Sequence, residues 1–130
     1  MDAGAIVVGV DGSDEARRAL EWALTEARTR GAPVRVVHAY ADESSRGEAE
    51  LIVNAEVASC DAAGLEVGQE AAAGQPVRVL LEAAREADLL VVGSRGRHGF
   101  PGLLLGSVSQ QVAHHAACPV VIVPSQRPPR

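Results

Sequence analysis

At 130 residues the chain is the size of one compact domain, and 47% of them are apolar, enough to build a core. A net charge of −5 and an aromatic content of 2% argue against nucleic acid as a partner, which needs a basic face and stacking platforms. No apolar run approaches the roughly 20 residues of a membrane span. Two cysteines, Cys60 and Cys118, are too few for a disulfide framework and have no metal-ligand spacing. No secretory leader is expected before the first strand. Two buried thiols then fit a reducing cytosol, and the expected location is cytoplasmic.

After a short leader, Ala5-Ile6-Val7-Val8-Gly9-Val10 is a continuous apolar run, as in a parallel strand covered on both faces. Asp11-Gly12-Ser13 ends it. Ser13 is a good N-cap, with Asp14 and Glu15 in the first turn where negative charge suits the helix dipole. Ala16, Leu20, Ala23, Leu24 and Ala27 recur at helical spacing until Gly31 stops the run. Trp22 falls beside that stripe and is expected to pack. Pro33 opens a second strand, Val34 to Tyr40, which completes a β-α-β unit with parallel strands. His38 has no partner in any recognisable catalytic arrangement and reads as structural.

Ala41 to Gly47 is polar and turn-rich. Glu48 to Ala63 reads as a second helix with Leu51, Ile52, Ala55 and Ala62 on one face, interrupted by Val53, Val57 and Ser59. Leu65 to Glu70 alternates as an edge strand does. Pro76 suits the first position of a third helix, whose inner face would carry Val77, Leu80, Leu81 and Ala84. Asp88 introduces the fourth strand, Leu89-Leu90-Val91-Val92. Ser107 to Ala116 reads as the fourth helix, with Ser107 and Gln110 as an S-x-x-Q capping box. His114 and His115 suit its last turn. Pro119 to Val123 is the fifth strand, and Ser125 to Arg130 a flexible tail. The alternation predicts a single α/β domain over 1–124, a parallel five-stranded sheet with helices on both faces.

The junction between the fourth strand and fourth helix holds five glycines: Gly93, Gly96, Gly99, Gly102 and Gly106. A glycine-rich loop that ends at a helix N-terminus offers unpaired N–H groups and a positive dipole end, which suit a phosphate. The loop is not a Walker loop, because G-x4-G-K-[ST] is missing and the chain contains no lysine. Asp11, Ala39 and Gly93 each fall at the carboxyl end of an expected strand, the rim where open α/β sheets bind ligands. An Asx-turn would explain Asp11 without a ligand.

Gly93 and Gly96 are separated by two residues, Gly96 and Gly106 by nine, and Ser107 follows. This G-x2-G-x9-G-S pattern resembles the ATP-binding signature of the universal stress protein family, and Val10-Asp11-Gly12-Ser13 resembles its first loop. The resemblance implies a Rossmann-like fold with strand order 3-2-1-4-5. It further implies an adenine-nucleotide site made of Gly9, Val10 and Asp11, of Ala39 on the base, of Val92, Gly93, Ser94, Arg95, Gly96, Arg97, His98 and Gly99, and of Gly106, Ser107, Val108 and Ser109 on the phosphates. Magnesium or manganese would bind through those phosphates. A homodimer through Val120, Val121, Ile122 and Val123 is implied as well. The segment after Tyr40 is shorter than is usual in the family.

The expected function is a stress-response sensor or regulator that binds ATP or a related adenine nucleotide. Two alternatives stand beside it. One is a slow ATPase or phosphoryl transferase, with His98 the residue to test and no convincing base in the sequence. The other is a dimeric interaction module without nucleotide.

Overall fold

A computed structural model of the chain describes residues 4–95 and 105–124. The five apolar runs become five parallel strands: β1 (Ile6–Gly9), β2 (Val34–Tyr40), β3 (Val67–Ala73), β4 (Leu89–Gly93) and β5 (Val120–Val123). Between them run α1 (Asp14–Arg30), α2 (Arg46–Ala58), α3 (Pro76–Ala83) and α4 (Ser107–His115), with a 3-10 turn at Glu43–Ser45 before α2. The sheet order is β3-β2-β1-β4-β5, and every neighbouring pair is parallel. This is the expected doubly wound order.

Alternation along the strands divides the apolar residues between two cores. Ile6, Val8, Val34, Val36, Leu89 and Val91 face α1 and α2, where Leu20, Ala23, Leu24 and Val53 meet them. Val7, Val37, Leu90 and Val92 face the other way, against Val79, Leu80 and Ala83 of α3 and Val112 of α4. A sheet covered on both sides demands apolar residues at every position, which is why these runs are continuous. Cys60 packs against the first core and Cys118 against the second, so the sheet lies between them. Both thiols are free and half-buried, not fully buried as expected. Burial, and then the charge of Asp88, pushes the Cys118 thiol up.

Several local expectations shift. The second helix begins at Arg46 and ends at Ala58, and its buried stripe is Ala49, Val53 and Glu56. Leu51, expected inside, is 70% exposed. The stripe obeys helical spacing through one small and one charged residue, so choosing the largest apolar side chains selected the wrong face. β3 starts two residues later than expected and runs to Ala73, because the seven-residue β2 pairs along its whole length with Val67 to Ala73. The inner face of α3 is set by Val79, Leu80 and Ala83, with Val77 and Leu81 only partly buried. Trp22 sits at the margin of its stripe, 37% exposed. The expected tail at 125–130 lies outside the described residues.

Two glycines at strand ends are required by close packing. A Cβ on Gly9 would stand 2.8 Å from both Leu80 methyl carbons. One on Gly93 would stand 3.0 Å from the main chain of Glu15, at the start of α1. Backbone yields less than a side-chain tip does. Gly93→Ala is therefore expected to destabilise the chain by about 1–3 kcal/mol, the usual range for overpacking. Urea unfolding of the two proteins checks this, and an unchanged midpoint would refute it.

Candidate functional site

The chain leaves β1 through α1 on one face of the sheet and enters β4 from α3 on the other. The reversal opens a crevice at the carboxyl ends of β1 and β4, as open α/β sheets do. On the β1 side the backbone turns tightly. Val10 N–H donates to Val37 O at 2.9 Å. Asp11 Oδ1 accepts from Ser13 N–H at 3.0 Å, and Ser13 Oγ accepts from Ala16 N–H at 3.1 Å. Gly12, at φ 84°, takes the left-handed conformation that this Asx-turn needs. The Asx-turn, the alternative to a ligand role for Asp11, is thus present, and the residue lies at the mouth of the crevice.

On the β4 side a set of main-chain bonds closes the base of the glycine loop. Ser94 N–H donates to Val123 O at 2.8 Å, which ties the strand end to β5. Ser94 O accepts from Gly106 N–H at 2.6 Å and from Ser109 Oγ–H at 2.8 Å. Ser109 Oγ also lies 3.1 Å from Gly106 O. Ser94 is 5% and Ser109 2% exposed. The Ser109 hydroxyl therefore points inward and holds the two ends of the loop together.

Helix α4 starts differently from the capping box expected. Gly106 is the N-cap and Ser107 the first helical residue, with no side-chain cap bond. The Gln110 N–H that an N-cap Ser107 would have accepted closes on Gly106 O instead, at 3.0 Å. The first N–H groups of a helix have no intrahelical acceptor, and among the described residues no side chain replaces one here, whereas Ser13 does so for α1. Gly106 has φ −77° and ψ 170°, an extended conformation open to any residue.

The remaining site residues fall into place around this rim. Val10 and Val92 are buried, and offer the crevice only their main chain. Ala39 lies one residue before the end of β2, paired with Ala72 and partly buried on the α3 side. Ser94 and Arg95 follow β4 directly, and Ser107 and Val108 open α4. Gly96, Arg97, His98 and Gly99 lie outside the described residues. His38 is structural as expected: its Nδ1 lies 2.8 Å from Val10 O, so the ring donates there and its proton is on Nδ1. After Tyr40 the short segment forms the 3-10 turn, with Asp42 Oδ1 accepting from Ser44 N–H at 3.1 Å.

One rim residue escaped the sequence reading. Glu56 of α2 is 8% exposed and faces Asp11, Asp14, Arg17 and His38. Burial, and next the charge of Asp11, holds its carboxyl above the usual carboxylate range, with Arg17 opposing. Its helical spacing from Ala49 and Val53 was the available signal. Among the described residues no group of three His, Cys, Asp or Glu could hold a metal. No described helix is long and apolar enough to cross a membrane.

The model of the Universal stress protein family matches residues 4–124. A universal stress protein of Mycolicibacterium smegmatis is 34% identical over 131 residues, covering 91% of this chain and 45% of its own length. The chain thus spans about half the length of the curated relatives it matches. Among solved structures, a universal stress protein in complex with cAMP is 33% identical, with a TM-score of 0.76 over 97% of this chain and 100% of that one. The Archaeoglobus fulgidus universal stress protein in complex with dAMP is 27% identical, with a TM-score of 0.69 over 95% of this chain and 99% of that one.

The clasp predicts its own test. Ser109→Ala removes the hydroxyl from two buried carbonyls and is expected to cost about 1 kcal/mol. Denaturant unfolding measures it; unaltered stability would mean that the clasp contributes nothing to the fold.

Proposed function

The chain belongs to the universal stress protein family, and from that premise we propose that it binds ATP, or a related adenine nucleotide, across the carboxyl ends of β4, β1 and β2. The phosphates rest on the glycine loop and on the N–H groups of Ser107, Val108 and Ser109, where the helix dipole favours an anion. Asp11 meets the ribose or a ring amine, and main-chain groups at Ala39 meet the base. Magnesium or manganese enters with the phosphates. The protein acts as a cytoplasmic sensor or regulator of stress, and binding rather than turnover is its function.

The observation that carries this reading is Gly106. Its backbone conformation does not call for glycine, yet any larger residue would set a side chain over the uncapped N-terminus of α4. Glycine there keeps a cradle open. The relatives solved with cAMP and with dAMP support an adenine nucleotide as the occupant. We further propose a homodimer through β5, an edge strand whose Val120, Val121 and Ile122 remain partly exposed and whose apolar edge calls for cover.

Isothermal titration of nucleotide-stripped protein with ATP and magnesium, then ADP and GTP, tests the proposal. The expected result is ATP binding on the order of micromolar, about 8 kcal/mol, with GTP weaker. Gly106→Val should abolish that binding while its unfolding midpoint stays near that of the parent chain. Undiminished binding by Gly106→Val would misplace the cradle. No binding by the parent chain would leave the interaction module as the answer.

A further inference from the structure

His38 holds an acceptor that the sheet would otherwise use. Main-chain groups along a parallel strand turn alternately to its two neighbours. Pro33 O accepts from Ile6 N–H and Val37 O from Val10 N–H, so the odd-numbered residues of β2 face β1. Val34 N–H donates to Glu66 O and Tyr40 O accepts from Gly74 N–H, so the even-numbered residues face β3. One step further, the β1–β2 ladder would place Ala39 N–H on Val10 O. Among the described residues that bond is not made. Val10 O accepts instead from His38 Nδ1–H, at 2.8 Å. His38 has the parity of Val34 and Val36, which pack in the first core, so the carbonyl meets its ring on the α1 and α2 side of the sheet.

The ladder between β1 and β2 therefore stops at Gly9 and Val37, and Ala39 keeps a donor and an acceptor that no described residue satisfies. Both point to the β1 side, where β1 has already turned away into Asp11. Resting on the adenine-nucleotide reading above, we propose that His38 is a positioning residue for the base. By holding Val10 O, it keeps Ala39 N–H from closing the ladder and leaves it to adenine N1, beside the Ala39 C=O that accepts from the N6 amine. His38 itself touches no part of the nucleotide.

The chemistry selects the base. A main-chain N–H beside a C=O offers one donor and one acceptor. Adenine presents an acceptor at N1 and a donor at N6, which pair with them. Guanine presents a donor at N1 and an acceptor at O6, which oppose them. Selectivity thus depends on a donor being left over at the end of β2, and the imidazole is what leaves it over. Without a ring donor, Val10 O has Ala39 N–H as its nearest replacement along the ladder. The sheet then gains a bond and the base loses its contact at N1.

Titration calorimetry of nucleotide-stripped protein decides it, with ATP and with 1-deaza-ATP, which has C–H in place of adenine N1. The parent chain is expected to bind ATP up to about tenfold more tightly than the deaza analogue, the worth of one hydrogen bond. His38→Leu, which has no donor, is expected to bind the two alike, near the parent's affinity for the analogue. His38→Asn carries an N–H where Nδ1 stood and is expected to restore the preference. A merely structural loss would weaken both nucleotides and leave their ratio unchanged. Equal ratios in the parent and His38→Leu would therefore overturn the role of His38 and leave the nucleotide site standing. Amide hydrogen exchange at Ala39 in the parent chain needs no variant. Rapid exchange in the free protein, slowed by ATP and unchanged by inorganic triphosphate, is expected; slow exchange in the free protein would show the N–H already paired and overturn the proposal. An absence of ATP binding by the parent would instead overturn the nucleotide reading, and this inference with it.

Discussion

Burial of one parallel sheet on both of its faces is the constraint from which the rest of this molecule follows. It forces apolar residues at successive positions of β1 and β4, where an amphipathic strand would alternate. It also forces the connections to opposite sides, because right-handed crossovers from the centre of the sheet can cover both faces only by reversing direction. The reversal falls between β1 and β4, and there the strand ends cannot be covered by either crossover. The crevice is a by-product of covering the core.

What the crevice contains is then fixed by short-range chemistry. Asp11, Gly12 and Ser13 turn the chain out of β1 and cap α1 with their own side chains. At the other lip, Ser94 and Ser109 secure the loop by main-chain carbonyls and leave the start of α4 without a side-chain cap. The two helix N-termini beside one another are thus treated oppositely. One is capped by a serine, and the other begins at a glycine that has no side chain to cap it.

The sequence made the strands, their parallel order and the glycine-rich junction legible because each rests on a local pattern. Continuous apolar runs and turn residues act within a few positions, and the alternation of helix and strand leaves few topologies. The second helix was less legible. Its stripe passes through Ala49, Val53 and Glu56, and only the tertiary packing of α2 on β2 and β3 singles out that face over the one with Leu51. Ser107 was misread as a cap for a related reason: S-x-x-Q and a glycine N-cap followed by serine differ by one residue of register, and only the Gln110 N–H to Gly106 O bond settles which occurs. The clasping role of the Ser109 hydroxyl was not legible, since its inward orientation depends on a carbonyl fifteen positions away.

The scarcity of aromatic residues has an optical consequence. The single tryptophan, Trp22, stands nine residues along α1 from its cap, about 13 Å down the helix axis, with part of its ring in solvent. Its emission reports the outer flank of α1 and the unfolding of that helix. The single tyrosine, Tyr40, is buried where β2 ends, with the Arg46 guanidinium 5.9 Å from its ring centre. Absorbance of the phenol, rather than fluorescence of the indole, is the intrinsic signal stationed beside the rim.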